Sequence, residues 1–545
     1  MAWLSENAVR IRTVDPAKDD FADLEPLRET LKGVRVVLLG EQNHGDGTTF
    51  LAKTRLIRFL HEKMGFDVLA FESGLYECAK AWDALAADEN AEQAVSRGVF
   101  RIWTESRELQ PLIEYLGSRA QSERPLELAG VDCQLTGTAA KEFLAADLAA
   151  ALSRIDPKLT EGDEWNRVSR VIAHLADGSW ELGTTPLPSA AEQAAFARTL
   201  EHWRSLLAER DSTPAARPWS GAFWRQILAS LRVNAEQTWR TDPANAAGNA
   251  AVFAMRDRQM GENLIWLAGE RYPNHRIIVW AATFHNARRL ATVETGDPKN
   301  DRLYEAVSPM GEVAWKKLGD ELYSLGFTSY DGESASAFAR SPNAIPAPGR
   351  GSIEDLFARA GLETAFVDFR KPPAGGQWLR SPLIAKLLGH VPMRADWTRV
   401  VDGVVFIRTM QRSSRKEGSA EPPPAPWVNV YHDDSVAFQV RRTRILTLDD
   451  GRYRVWLRWL FAAPRPWKSG EELSMVMNVD LDCRERRLRE LVTVHKNRAG
   501  EIFDREERRP EDAPWKSFGA NTGAASALDR VCEFVPRLIE EEKKR

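Results

Sequence analysis

Cysteine is scarce in this chain: four residues in 545 (Cys78, Cys133, Cys483 and Cys532), none of them in a CxxC pair. Neither a structural zinc site nor a disulfide scaffold is expected from such usage. A surplus of charge of one sign is missing too. The 74 basic and 78 acidic side chains leave a net charge of −4, with no basic stripe interleaved with aromatics, so nothing argues for a nucleic-acid partner. No apolar run approaches the roughly 18 residues that span a bilayer. The opening stretch from Met1 to Asn7 has neither the basic region nor the apolar core of an export signal, and a cytoplasmic protein without a membrane partner is expected. Two signatures of hydrolytic chemistry are also lacking. No G-x-S-x-G elbow follows a candidate strand, which favours attack by water over an acyl-enzyme, and H-E-x-x-H is absent.

What is present is ample core material. Hydrophobic residues make up 43% and charged residues 28% of a length that suggests two or three domains. Val34 to Leu39 is an apolar run closed by Gly40, which reads as a buried strand that stops abruptly. Gly40-Glu41-Gln42-Asn43-His44-Gly45 follows directly, and a helix is expected from about Thr48 to Met64, stopped by Gly65. Asp67 to Glu72 and Leu126 to Asp132 are two more apolar runs that end in a carboxylate, and Arg276 to Ala281 runs out four residues before His285. If these strands are parallel neighbours, Glu41, His44, Glu72, Asp132 and His285 share one sheet edge, where open α/β folds bind their ligands.

Helix-like segments from Leu75 to Ala87 and Leu109 to Ala120 alternate with these strands. The expected fold class is therefore α/β, a mostly parallel sheet flanked by helices. Between about residues 137 and 267 the strand signal disappears, and runs such as Ala139 to Ile155 and Ala190 to Glu209 predict an all-helical insertion. Its tryptophans, Trp165, Trp180, Trp203, Trp219, Trp224 and Trp239, suit a core, with an apolar substrate cleft as the competing reading. Further helices are expected from about Ser352 and Ser381, and strands near Thr364 to Phe369 and Gly403 to Ile407. Residues 411–426 are charged, small and proline-rich and read as an extended linker. Residues 427–545 carry short strand-like runs and a final helix near Ala525 to Glu542, a small β-rich domain of about 120 residues. The catalytic domain is thus expected over residues 1–410.

His44 is the candidate general base, because a neutral imidazole accepts a proton from water near neutral pH. Glu41 or Glu72 would orient its ring. Arg55, two turns into the following helix, could pair with a carboxylate or steady an oxyanion, and His285 could protonate a leaving alkoxide or polarise a carbonyl. The plainer readings compete: Glu41 as a helix cap, Arg55 as a solvated charge and His285 as a core histidine. A mixed site of His44, His285 and two carboxylates holding a metal is the chemical alternative.

Six motifs in order then resemble the erythromycin esterase family. They are Gly40-Glu41-Gln42-Asn43-His44-Gly45, Lys53-Thr54-Arg55, Ala70-Phe71-Glu72, Gly130-Val131-Asp132-Cys133-Gln134, the helix Arg256-Asp257-Arg258-Gln259-Met260-Gly261-Glu262-Asn263, and Gly351 to Leu356, spread over about residues 30–410. The resemblance implies a cofactor-free, metal-independent hydrolase that opens a small-molecule ester or macrolide lactone with histidine-activated water. His44, Glu41, Glu72, Arg55 and His285 would be catalytic, and Asp132 and Gln134 would bind substrate. The family's W-A-H-N-x-H strand end is altered here to Trp280-Ala281-Ala282-Thr283-Phe284-His285-Asn286. Without a gap, Ala282 and Thr283 replace a histidine and an asparagine; with a three-residue insertion, Arg288 replaces the second histidine. Either way one imidazole is missing, which implies a changed substrate or a weakened enzyme that binds a small molecule. The C-terminal part is similar to surface-adhesin E-like domains in Leu481 to Arg487, Trp515 and the spaced Cys483 and Cys532. That resemblance implies a disulfide, whereas a cytoplasmic domain would keep two buried thiols.

Overall fold

The computed structural model describes residues 2–178, 180, 187–241, 250–339, 342–416, 427–432, 436–441, 445–448, 451–467, 470–496, 502–517 and 523–543. The chain divides into two compact units, one of residues 1–177 and 189–422, the other of residues 178–188 and 423–545. Among the described residues no helix is long and apolar enough to cross a membrane.

The first unit is built on a nine-stranded sheet. Its strands are β1 (Val9–Arg10), β2 (Val36–Leu39), β3 (Val68–Gly74), β4 (Glu127–Asp132), β5 (Ile277–Trp280), β6 (Leu322–Ser334), β7 (Asn343–Ile345) and β8 (Thr364–Asp368). A separate antiparallel ribbon of β9 (Leu383–Ala385) and β10 (Met393–Ala395) precedes the last strand, β11 (Gly403–Met410). The order across the sheet is β1-β8-β11-β6-β2-β5-β3-β4, with β7 beside the end of β6. From β11 to β4 every pair is parallel, while β8 and β1 run antiparallel at the far edge. The α/β class expected from the alternation of strands and helices is the one formed. The four strands with polar tips, β2, β5, β3 and β4, are consecutive neighbours.

A central strand, β6, has no counterpart in the hydrophobic pattern. It carries Ser324, Thr328 and Ser329 fully buried, each with a partner: Asn286 O, Glu354 and Gln42 respectively. Satisfied hydroxyls stand where a parallel strand usually shows an apolar run, so period and hydropathy both miss it. The helix expected from Ser381 is also not formed; that stretch is β9, paired with β10. The helix Gly47–Met64 ends as expected, with Gly65 in the left-handed region at φ 74°.

The insertion is helical where described, including Gly162–Ala176, Ala190–Arg210, Gly221–Arg240 and Ala250–Trp266. Trp203 and Trp224 are fully buried there and Trp239 nearly so, in keeping with the core reading. Trp219 instead lines a cavity of about 230 Å³ between the helix Leu75–Ala86, β4 and the insertion. Of the expected linker, residues 417–426 lie outside the described residues. Residues 411–416 are not loosely packed. Ser413 is buried and bonds Ser106, Ser414 bonds Glu108, and Lys416 pairs with Glu92.

The second unit is an antiparallel sheet of eight strands: β12 (Trp427–His432), β13 (Val436–Arg441), β14 (Leu446–Thr447), β15 (Tyr453–Trp467), β16 (Gly470–Asp482), β17 (Arg487–Lys496), β18 (Ile502–Glu507) and β19 (Lys516–Ser517). The helix Gly523–Lys543 lays Leu528, Val531, Val535 and Leu538 against Val440, Val455, Leu457 and Val479. Cys483, just past β16, is joined by a disulfide to Cys532 in that helix, 49 residues away, with Cα atoms 5.5 Å apart. Two reduced thiols, the state a cytoplasmic domain would keep, are therefore not what is found. Cross-linking a loop of this size typically stabilises by about 2–4 kcal/mol. Replacing both cysteines by serine is expected to lower the urea midpoint of this unit accordingly. An unchanged midpoint would show that the helix needs no covalent tie.

Candidate active site

Glu41 follows the end of β2 at a place where the chain turns sharply. A Cβ on Gly40 would lie 2.4 Å from Thr283 Oγ1, so only glycine lets the loop pass this close to the end of β5. The Thr283 N–H donates to Glu41 O at 2.8 Å and fastens the two strand ends together. The Glu41 carboxylate is completely buried and fully engaged. Oε1 lies 2.8 Å from His44 Nδ1 and accepts the Trp103 indole N–H at 2.9 Å, while Oε2 receives Lys53 Nζ at 2.9 Å. Lys53 also sits 3.8 Å above the centre of the Trp280 ring. The His44 side chain remains 31% exposed, and its Nε2 has no hydrogen-bond partner among the described residues.

A second cluster forms beside it. Glu72 lies within β3, at the irregularity between Phe71 and Gly74 in its pairing with β4. Its Oε1 meets Arg256 Nη2 at 3.0 Å and His285 Nε2 at 3.1 Å, and its Oε2 accepts the Ala282 N–H at 2.9 Å. Arg256 also binds Asp132 through Nε and Nη2, the shortest contact being 2.6 Å. His285 Nδ1 lies 2.7 Å from Asp257. Two turns of one helix, Ala250–Trp266, supply Arg256, Asp257 and Asn263, and Asn263 donates to Val131 O in β4 at 2.9 Å.

The charges decide the protonation states. Burial opposes ionisation of Glu41, yet Lys53 and His44 hold its pKa below the ordinary value. Burial likewise opposes a charge on Glu72, but His285, His44 and Arg256 keep it well below the carboxylate range. Burial pulls His285 down, and Asp257 and Glu72 overcome this to raise it to about 10, so it is a cation at neutral pH. Desolvation lowers Lys53 to about 8 despite Glu41. His44 is pulled down by burial and more strongly up by Glu41 and Glu72, for a net rise.

Glu41, His44, Glu72, Asp132 and His285 are thus brought to the same end of the sheet, and the mutual electrostatic influence of His44, Glu72 and His285 reflects their closeness. Arg55 is not among them. It is turned to the other side of its helix, where it binds Asp23, Thr13 O and Asp20 O and is buried against Phe21. Two residues apart on a helix cannot share a face, and it is Lys53 that faces the crevice. Asp132 is not free for substrate either, since both its oxygens are held by Arg256. Gln134 meets Asp132 only through its backbone N–H, at 3.1 Å, and its side chain makes no hydrogen bond among the described residues. Both nitrogens of His285 lie within bonding distance of carboxylates, which leaves neither free for an alkoxide. Lys53, Arg256, Asp257 and Trp103 join the site beyond the residues expected from sequence; the first three lie in the quoted motifs, whereas Trp103 carries no local signal.

A model of the family described as Erythromycin esterase matches residues 61–410. The chain belongs to the erythromycin esterase family. It is 22% identical over 432 residues to the erythromycin esterase type II of Escherichia coli, covering 74% of this chain and 96% of that protein. YbfO of Bacillus subtilis (strain 168), provisionally named a hydrolase, is 26% identical over 431 residues, covering 74% and 90% respectively. Among solved structures, a mutant of the erythromycin esterase EreC in its open conformation superposes with a TM-score of 0.55 at 17% identity, covering 75% of this chain and 98% of that one. A Bacillus cereus protein gives 0.61 at 16%, covering 76% and 98%. These likenesses make the chain a hydrolase of the esterase family at the coarse level, and residues 427–533 match the family described as Surface-adhesin protein E.

The Glu72–Arg256–His285 cluster yields a stability test. A histidine whose folded pKa is raised to about 10 from an ordinary 6.5 contributes stability that is complete below about pH 6.5 and is lost as pH rises through about 10. His285→Gln is expected to destabilise the first unit at pH 6.5 by about 3–5 kcal/mol, because buried carboxylates lose a partner. The gap from wild type should narrow between pH 7 and 10. A gap that is constant with pH would mean that His285 is not charged in the folded protein.

Proposed function

We propose that the first unit hydrolyses a carboxylic ester or lactone by direct attack of a water that His44 activates. One observation carries this reading: His44 is bonded through Nδ1 to a fully buried, immobilised carboxylate, while its partly exposed ring leaves Nε2 without a hydrogen-bond partner among the described residues. A donor Nδ1–H fixes the tautomer and leaves the Nε2 lone pair as the base. Water gives its proton to Nε2, its oxygen bonds to the ester carbonyl carbon, and Glu41 stabilises the imidazolium. The tetrahedral oxyanion is met by positive charge. Arg256, whose Nη1 makes no hydrogen bond among the described residues, fills the electrophilic role first expected of Arg55. When the C–O bond to the leaving group breaks, the His44 imidazolium returns the proton to the departing alkoxide. His285 supplies fixed positive charge that keeps Glu72 ionised, rather than a mobile proton. Glu41, Glu72, Asp132 and Asp257 each already bind a cationic side chain, which favours this route over the metal-dependent one, and turnover is expected to persist in chelator.

With a p-nitrophenyl ester as substrate, His44→Ala should lower kcat by about a hundredfold to ten-thousandfold. The fold should be little changed, because Lys53 and Trp103 still hold Glu41 and no core cavity is left. Loss of stability with unchanged turnover would identify His44 as structural. The pH dependence of kcat/KM should be bell-shaped. Its rising limb lies above the ordinary imidazole value of about 6.5, because His44 must be neutral and its pKa is raised. Its falling limb lies near 8, where Lys53 loses the proton that fixes Glu41. A rising limb at or below the ordinary value would contradict the assignment.

The lost histidine bears on the substrate. On the gap-free alignment, Ala282 uses its backbone N–H to hold Glu72 and offers no imidazole. Macrolide lactones should therefore turn over poorly, a smaller ester well, and Ala282→His with Thr283→Asn should raise macrolide turnover. Wild-type macrolide hydrolysis at roughly 1–1000 per second, ordinary for enzymes, would show that the histidine is dispensable.

A further inference from the structure

His390 stands apart from every motif used so far. It is 8% exposed and adopts a left-handed backbone with φ 60°, next to Gly389 at φ 70°. A non-glycine residue is uncommon in that region, although histidine adopts it more readily than most. Its Nε2 lies 2.8 Å from Asp46 Oδ1, and its Nδ1 is buried without a partner among the described residues.

Asp46 is the residue through which His390 reaches the crevice. It is fully buried and occupies the N-cap position of the helix Gly47–Met64, yet its carboxylate makes no capping bond to that helix. An aspartate at this position ordinarily accepts from the first helical N–H groups. Here Oδ2 instead accepts the Asn43 N–H at 2.9 Å, and Oδ1 meets His390. The carboxylate is diverted from the helix to the turn that presents His44. The same loop grips that turn twice more: the Gly389 N–H donates to Gln42 O at 3.1 Å, and Gln42 Nε2 donates to Lys386 O at 2.5 Å. Residues 42 and 43, on either side of which stand Glu41 and His44, are therefore clamped by Lys386 to His390, and Asp46 is close enough for its charge to act on Lys53.

We propose that His390 is a positioning residue for His44, acting through Asp46 to hold the Asn43–His44 turn in register with Glu41. The proposal rests on the reading of His44 as the base. A base misplaced by about 1 Å costs up to about a hundredfold in rate, so the clamp acts on kcat more than on KM.

His390→Gly in the full chain separates a positional role from a backbone one, because glycine adopts the left-handed conformation without cost. If His390 only shapes its loop, this variant behaves as wild type. We expect instead a fall in kcat of about 10- to 100-fold on a p-nitrophenyl ester, KM within about twofold, and faster hydrogen exchange confined to the peptide that carries Asn43. His390→Asn, which tolerates the same backbone but is shorter, should show the same loss. Asp46→Asn combined with His390→Gly should be no slower than the slower single variant, and added imidazole should restore part of the rate of His390→Gly. Wild-type kcat together with unchanged exchange at Asn43 overturns the proposal, as does a loss of rate accompanied by faster exchange throughout the first unit. If the wild type turns over no ester, the reading of His44 fails by itself. Exchange at Asn43 then still decides the link, faster exchange supporting it and unchanged exchange refuting it.

Discussion

The structure around the crevice depends on the neutralisation of buried carboxylates. Glu41, Glu72, Asp132 and Asp257 are each almost completely removed from solvent. A carboxylate in such surroundings must be paired and hydrogen-bonded or give up its charge. The fold answers with Lys53, Arg256 and His285, each in contact with one or more of the four. These four negative groups face three fixed positive ones, and the fully buried Asp46, paired with His390, adds a further carboxylate nearby. The missing positive charge is the one that His44 can supply, and its raised pKa is the expression of that deficit.

In the proposed mechanism, that deficit turns a structural requirement into chemistry. A general base works best when its pKa lies near the operating pH, so that it can both take a proton and return it. There Glu41 supplies the pull on His44, and Lys53 and Trp103, bonded to the same carboxylate, fix its direction. His285 looks like a second catalyst in sequence. Between Asp257 and Glu72 it is instead held as a countercharge.

Much of this was legible in the chain, for identifiable reasons. Strands buried on both faces write themselves as apolar runs, so β2, β3, β4 and β5 and their polar tips could be read directly. β6 could not, because its buried hydroxyls are satisfied by Asn286, Glu354 and Gln42, partners remote in sequence or on other elements. Lys53 and Arg55 belong to one motif, and helical geometry says that only one of them faces the crevice, but nothing local says which. Arg256 meets Asp132 across 124 residues, a pairing that only the folded chain reveals. His390 and Trp103 carry no signal at all, since their importance lies entirely in what tertiary structure sets beside them.

The central claim is that a buried carboxylate fixes the tautomer of His44 and raises its proton affinity. An NMR titration of the His44 ring nitrogens in the resting protein measures both at once. The account predicts a proton on Nδ1, an unprotonated Nε2 at high pH, and a midpoint above the ordinary value of about 6.5. A neutral form protonated at Nε2, or a midpoint at or below that value, would contradict it.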